Sequence, residues 1–161
     1  QAAAARAEVA ALAALADSLT ARRETYWATI VGAQRLAAEA WLARAEGDDE
    51  RALRLAGEAA ALEETVEKHP VTPGPLLPAR ELEGDLLMEL GRAADARRAY
   101  EATLRREPNR ARALFGAARA AELAGDAPAA RAHYQHLLEV MRAADPGRAE
   151  VQLARAYVAR P

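Results

Sequence analysis

Two ten-residue stretches decide the fold: GRAADARRAY at residues 91–100 and GDAPAARAHY at residues 125–134. In both stretches a glycine is followed five residues later by an alanine and four residues after that by a tyrosine. Three pairs of residues therefore match at an offset of 34: Gly91 with Gly125, Ala96 with Ala130, and Tyr100 with Tyr134. Three matches at one offset indicate an internal repeat of 34 residues.

Each matched position has a physical reason. The glycine reverses the chain between two helices, and the small alanine lets those helices approach closely. The tyrosine fills the gap between neighbouring hairpins, and we expect its hydroxyl to stay near water. A weaker copy of the frame, GDDERALRLA at residues 47–56, begins 44 residues before Gly91. The ten additional residues correspond to the Pro-rich stretch 69–78.

The composition points to the same class of fold. The 161 residues include 46 alanines but only 20 leucines, and 4% are aromatic. Alanine is the strongest helix former and a poor strand former, so we predict an all-α protein. Short connections between helices imply antiparallel neighbours. The predicted helices lie at 2–17, 20–46, 49–67, 78–90, 93–107, 110–124, 127–143 and 147–160.

Turn and cap residues set these predicted boundaries. The polar side chains of Asp17, Ser18 and Thr20 suit a helix N-cap, and Asn109 can cap the helix at 110. Pro78 and Pro128 suit a first helical position, whereas the two repeat glycines suit the left-handed residue that follows a helix. His69 precedes a proline and is interpreted as a surface turn residue.

The 34-residue frame resembles the tetratricopeptide repeat. The family pattern is matched by Gly84, Leu87, Gly91, Ala96, Tyr100 and Pro108. The second repeat departs from the pattern at Arg142, which stands where its closing proline should be. The resemblance implies a right-handed α-solenoid of helix hairpins in a single domain. We divide that domain into N-terminal helices with a weak repeat (1–68), a Pro-rich linker (69–77), two clear repeats (78–144) and a capping helix (145–161).

The resemblance also implies a binding surface on the concave face, lined by the first helix of each repeat. Glu81, Asp85 and Glu89 form an acidic stripe there, and Arg112 and Arg119 form a basic one. Trp41, Met88 and Phe115 are the candidate apolar anchors on that face. A groove of this kind suits a peptide or a segment of a partner protein, whereas the plainer interpretation is a solvated helix face.

His133, His136 and Glu139 lie at helical spacing and raise the alternative of a zinc site. Two histidines without a confirmed third ligand are a weak signal, so a solvent-facing stripe is the favoured interpretation. We therefore expect no metal and no cofactor. The sequence has no phosphate loop and no nucleophile elbow, and we expect no enzymatic activity.

The bulk numbers exclude further classes. The sequence contains no run of 18 apolar residues, so we predict no membrane span. The absence of cysteine excludes disulfides and thiolate metal sites. With a formal net charge of −2 and scattered arginines, the chain lacks the basic surface of a nucleic-acid binder. The chain starts at Gln1 rather than Met, which indicates an excerpt or a processed form. Its compartment stays open between the cytoplasm and export in a bacterium.

These observations predict a protein–protein interaction scaffold that binds a peptide or partner protein on its concave face. The alternative is a structural module that self-associates, for example through helix 2–17, or that packs within a longer protein without an external ligand. The Pro-rich stretch 69–78 is either a rigid elbow, which we favour, or a docking loop.

Overall fold

The computed structural model of the protein describes residues 2–67 and 74–160. These residues form eight α-helices and no strand, which confirms the all-α class. The helices are α1 (Ala2–Ala21), α2 (Thr25–Ala45), α3 (Asp49–Glu63), α4 (Ala79–Glu89), α5 (Ala93–Arg106), α6 (Ala111–Leu123), α7 (Ala127–Val140) and α8 (Ala149–Val158). Within the described ranges, none of these helices is long and apolar enough to cross a membrane.

The chain divides into two compact units, Gln1–Leu86 and Leu87–Pro161. In the first unit α2 packs against both α1 and α3. In the second unit α5, α6, α7 and α8 pack one against the next in chain order. Short connections thus place helices that are consecutive in sequence side by side, as predicted.

One type of glycine turn closes three helices. Gly47, Gly91 and Gly125 have φ angles of 85°, 71° and 78°, in the left-handed region that glycine enters without a steric cost. After each glycine, the next backbone N–H donates to the carbonyl five residues earlier, as from Asp126 to Ala121 at 2.9 Å. This is the bond pattern that satisfies the last carbonyls of a helix. The weak copy at 47–56 therefore has the same turn as the two clear repeats.

Aspartate caps the helix after two of these turns. The Asp48 carboxylate accepts a bond from the Arg51 backbone N–H at 3.0 Å, and Asp126 accepts one from Ala129 at 3.1 Å. Arg92 occupies the same place before α5 and makes no side-chain cap. Pro128 lies in the first turn of α7, as predicted. Pro78 instead immediately precedes α4, where its carbonyl accepts from Leu82 at 3.1 Å.

The predicted helix boundary at residues 17–20 is wrong. Helix α1 continues to Ala21, and α2 begins only at Thr25. The Thr20 hydroxyl donates to the Ala16 carbonyl at 2.8 Å, so it bonds back into α1 and does not cap a new helix. The chain turns instead at Arg23, whose φ of 59° is left-handed although it is not glycine.

Two other boundary predictions need correction. The N-cap of α6 is Arg110 and not Asn109, because the Asn109 side chain lies 3.1 Å from the His136 ring and is engaged there. Helix α3 ends at Glu63, four residues before the predicted end, where the Thr65 hydroxyl bonds to the Leu62 carbonyl. His69 and residues 70–73 of the Pro-rich stretch lie outside the described residues.

Alanines supply most of the buried core. Ala96 and Ala130, the predicted contact points between helices, are both fully buried. The repeat tyrosine Tyr100 is also buried, and its ring lies directly over the α6 backbone at Gly116. A Cβ atom on Gly116 would meet the Tyr100 ring carbons at 2.6 Å, a distance that real Cβ contacts do not reach. Gly116 is thus part of the repeat packing although the 34-residue frame did not identify it.

We expect Gly116→Ala to lower the free energy of unfolding by about 1 kcal/mol or more, because overpacking outweighs the helix propensity gained. Gly57→Ala in α3 is the matched control, since a Cβ there would meet its nearest atom at an ordinary 3.7 Å. That control should raise stability by about 0.5–1 kcal/mol. Urea denaturation followed by circular dichroism measures both. A Gly116→Ala protein as stable as wild type would show that the Tyr100 ring moves aside freely.

Candidate functional site

Helix α6 leaves one narrow stripe of side chains outside the core. Its buried residues are Ala113, Leu114, Ala117, Ala118, Ala120 and Ala121. Between them lie Arg112, which is exposed, and the half-buried Phe115, Arg119 and Glu122. These four residues are called the α6 stripe below. The sequence predicted the first three as partner contacts, and the helix places all four on its uncovered face.

Phe115 is anchored to the core beneath the stripe. Its ring lies edge-on to the buried Tyr134 ring, with the centroids 6.3 Å apart. It also borders the core cluster that includes Leu114 and Leu137. Phe115 therefore offers part of its ring as a fixed apolar surface, whereas a freely rotating anchor would have to be ordered on binding.

Glu122 joins three elements of the second unit. Its carboxylate lies 2.6 Å from the Arg119 guanidinium on the same helix. It accepts the Tyr134 hydroxyl of α7 at 3.1 Å. The Arg160 guanidinium, beyond the end of α8, lies 3.6 Å away. Charge-assisted bonds of this kind hold Arg119 in one orientation on the stripe.

The Tyr134 hydroxyl is bonded within the protein, which corrects the expectation that it would stay near water. The side chain is fully buried. Burial raises the pKa of Tyr134 to about 12, and the negative charge of Glu122 acts in the same direction while Arg119 opposes it. The buried polar end of the repeat tyrosine is thus satisfied by a carboxylate of the preceding helix.

Arg131 fixes the end of α8. Its guanidinium donates to the carbonyls of Val158 and Arg160, each at 2.7 Å. These carbonyls have no partner within the helix, and a cation is favourable beside them. The Arg160 guanidinium in turn lies 5.0 Å from the centre of the Tyr157 ring. The two Arg131 bonds hold Arg160 near Glu122, and the 34-residue repeat gave no indication of them.

The acidic stripe predicted on α4 is not uniform. Glu81 is fully buried, Asp85 is half-buried and Glu89 is exposed. The first turn of α4 is covered, because Ala79 belongs to a buried cluster with alanines of α2 and α3. Glu81 therefore cannot meet a partner, and the prediction of a solvent-facing glutamate there is wrong. Met88, a predicted apolar anchor, is half-buried.

The first unit places its two tryptophans differently. Trp41, the predicted anchor on α2, is half-buried. Trp27, at the start of the same helix, is 40% exposed and stands edge-on to Tyr26 with the ring centroids 4.9 Å apart. The 34-residue frame gave no indication of this aromatic pair, because the pair precedes the recognised repeat.

The two histidines of α7 contact different residues. The His133 ring nitrogen lies 3.3 Å from Glu101, and the His136 nitrogen lies 3.1 Å from Asn109. Across residues 2–67 and 74–160, no group of three His, Asp or Glu side chains is arranged to hold a metal ion. His136 and Glu139 instead border an open cleft of about 380 Å³.

The comparisons with known proteins agree with the repeat frame. Residues 82–149 match a family model described as tetratricopeptide repeat. The matched range begins within α4 and includes α5, α6 and α7, and therefore the whole α6 stripe. No curated protein matches the chain.

The Tyr134 hydroxyl should make the stability of the protein depend on pH in alkaline solution. An unfolded tyrosine ionises near pH ~10, whereas folded Tyr134 keeps its proton up to about pH 12. Between these values only the unfolded state loses the proton, so the free energy of unfolding falls as the pH rises. Tyr134→Phe should remove this component, which urea unfolding across the window measures. An unchanged pH dependence in the variant would contradict the assignment.

Proposed function

Since residues 82–149 match a family model described as tetratricopeptide repeat, we propose that the protein is a scaffold that binds a segment of a partner protein on the α6 stripe. Tetratricopeptide repeats generally mediate protein–protein interaction. They form a non-catalytic interaction fold, and we infer that this chain likewise acts by binding alone. The predicted contacts Met88 and Glu89 belong to the same unit as the stripe and extend the proposed surface.

The observation that carries this proposal is the division of α6 into two faces. Neighbouring helices α5 and α7 cover one side with buried alanines, while the stripe remains open. The stripe has two guanidinium groups against one carboxylate, and Arg160 adds a third guanidinium beside it. This excess of positive charge favours an acidic segment, and Phe115 favours an apolar side chain within it.

Preorganisation supports the same surface. Glu122 holds Arg119, and the core holds Phe115, so little side-chain entropy is lost when a partner binds. Trp41 and Asp85 lie in the unit Gln1–Leu86. We propose them as contacts of that unit alone, and we remove the buried Glu81 from the set.

A selection from random peptides tests the proposal and requires no candidate partner. Peptides displayed on phage are selected against the immobilised full chain and, separately, against the variant Arg112→Glu/Arg119→Gln. We expect the wild-type protein to enrich peptides that combine Asp or Glu with a large apolar residue. The variant should lose these peptides, with affinity reduced about tenfold or more, because each lost charged contact is worth about 1.5–3 kcal/mol.

The control variant is Arg105→Glu/Arg142→Gln, which makes the same change of charge at two exposed arginines away from α6. It should retain the selected peptides, and circular dichroism should show wild-type helix content in both variants. Enrichment of basic peptides, or equal loss of binding in the control, would overturn the proposed surface.

A further inference from the structure

The end of α3 is joined to the start of α4 by side chains. The Glu63 carboxylate accepts the Ala79 backbone N–H at 3.0 Å. Arg80 donates to both carboxylate oxygens of Glu64, at 2.9 and 2.7 Å, and to Glu83 at 2.7 Å. Two parallel bonds between a guanidinium and a carboxylate fix geometry as well as charge. We call these contacts the helix-end clamp.

The clamp changes how the Pro-rich stretch is interpreted. Because α3 and α4 are held by direct contacts, the chain between residues 65 and 78 is not needed as an elbow that sets their positions. Its two described ends, at residues 65–67 and 74–78, adjoin the clamp. Such a connection is free to present side chains for another purpose.

Two adjacent leucines stand out on the second described end of this connection. Leu76 is 89% exposed and Leu77 is 48% exposed. Among the exposed large apolar side chains of the described residues, Leu76 has the greatest exposure. A leucine that stays in water forgoes the free energy of burying its apolar surface, and contact with another surface would recover part of it. These two residues are called the leucine knob.

Prolines hold the knob in place. Pro75 and Pro78 flank it, and each fixes its own backbone φ angle. Leu77 is restricted further because the residue before a proline avoids the helical region. Pro78 is itself buried at the base of the knob. The leucines are therefore presented by a stiff support, and binding them costs little conformational entropy.

Charge is divided unequally between the two units. Gln1–Leu86 contains nine basic and fifteen acidic residues, a formal charge of −6, whereas Leu87–Pro161 contains thirteen basic and nine acidic residues, a formal charge of +4. Beside the knob, the clamp has three carboxylates and one guanidinium. Glu67 and Lys68 cancel each other along the sequence. The knob is thus an apolar element in acidic surroundings.

The α6 stripe has the complementary properties. Its arginines give it an excess of positive charge, and two apolar side chains are available on that helix, namely Phe115 and the 60% exposed Leu123. An acidic segment with large apolar residues is the kind of ligand proposed for this stripe. This chain has the leucines of the knob beside the clamp carboxylates Glu63, Glu64 and Glu83.

We infer that copies of this chain associate head to tail, with the leucine knob of one copy bound on the α6 stripe of the next. This inference rests on the proposed function, because it names the partner of the stripe. Leu76 and Leu77 contact Phe115 and Leu123, while the clamp carboxylates face Arg112 and Arg119. Because the two surfaces differ, the contact is heterologous and can extend beyond two copies.

Complementation between two variants tests the inference. The knob variant is Leu76→Ser/Leu77→Ser, and the stripe variant is Arg112→Glu/Arg119→Gln. Sedimentation velocity of the full chain over a concentration series should show wild-type association that weakens as salt is added. Each variant alone should associate about tenfold or more weakly than wild type. An equimolar mixture should form heterodimers and nothing larger, since it contains one intact knob and one intact stripe.

Two further variants complete the design. Val140→Ser/Leu153→Ser removes two exposed apolar side chains elsewhere in the second unit and should associate as wild type does. If the stripe variant loses helix content, Arg112→Glu alone replaces it, because that position is exposed.

The outcomes separate this inference from the proposed function. A wild-type protein that stays monomeric at every concentration, or a mixture that stays monomeric, overturns the head-to-tail contact. If the peptide selection then still yields acidic peptides that depend on Arg112 and Arg119, the proposed function stands and its partner is another protein. If the selection also fails, the proposed surface falls as well.

Discussion

The distance to which two helix backbones can approach constrains the rest of this structure, and alanine sets that distance. Buried alanines line the contact faces of α2 and α6, and Gly116 takes the same role where the Tyr100 ring crosses α6. A larger side chain at such a place would separate the helices. Each alanine removes little apolar area from water, so stability is spread over many small contacts and a few large residues such as Tyr134.

This close packing also determines which side chains of α6 stay outside the core. A helix that is covered on both flanks by alanine contacts has only a narrow stripe left, and on α6 that stripe is charged and aromatic. The Tyr134 hydroxyl beneath it donates to Glu122, and Arg131 donates to the Val158 carbonyl at the end of α8. Phe115 is held by its contacts with the core, and Arg119 is held by Glu122.

The repeat frame predicted the fold because its markers act locally. The turns at Gly91 and Gly125 require a left-handed backbone, which glycine adopts without steric cost. Pro128 favours a helix start, and Ala96 and Ala130 are small where helices meet. Those requirements are set by the residue and its immediate neighbours. Helical spacing placed Arg112, Phe115 and Arg119 on one face of α6, and their role as partner contacts stays a prediction.

What escaped prediction depends on contacts between helices that are distant in sequence. Glu81 follows the same spacing as Asp85 and Glu89, but packing of the first turn of α4 buries it. The reach of Arg131 to Val158 depends on how α8 is docked, which no periodicity encodes. Thr20 illustrates the remaining ambiguity, because a hydroxyl that can cap a new helix can equally bond back into the old one.

The helix-end clamp also bears on how this chain can change over evolutionary time. Glu63 and Glu64 at the end of α3 are bonded directly to residues at the start of α4. The peptide connection between the two helices therefore contributes little to their alignment. Lengthening a loop whose ends are already held costs only about 0.6 kcal/mol for each doubling. Residues 65–78 are therefore a permissive position for insertions, grafted epitopes or the new termini of a circular permutant.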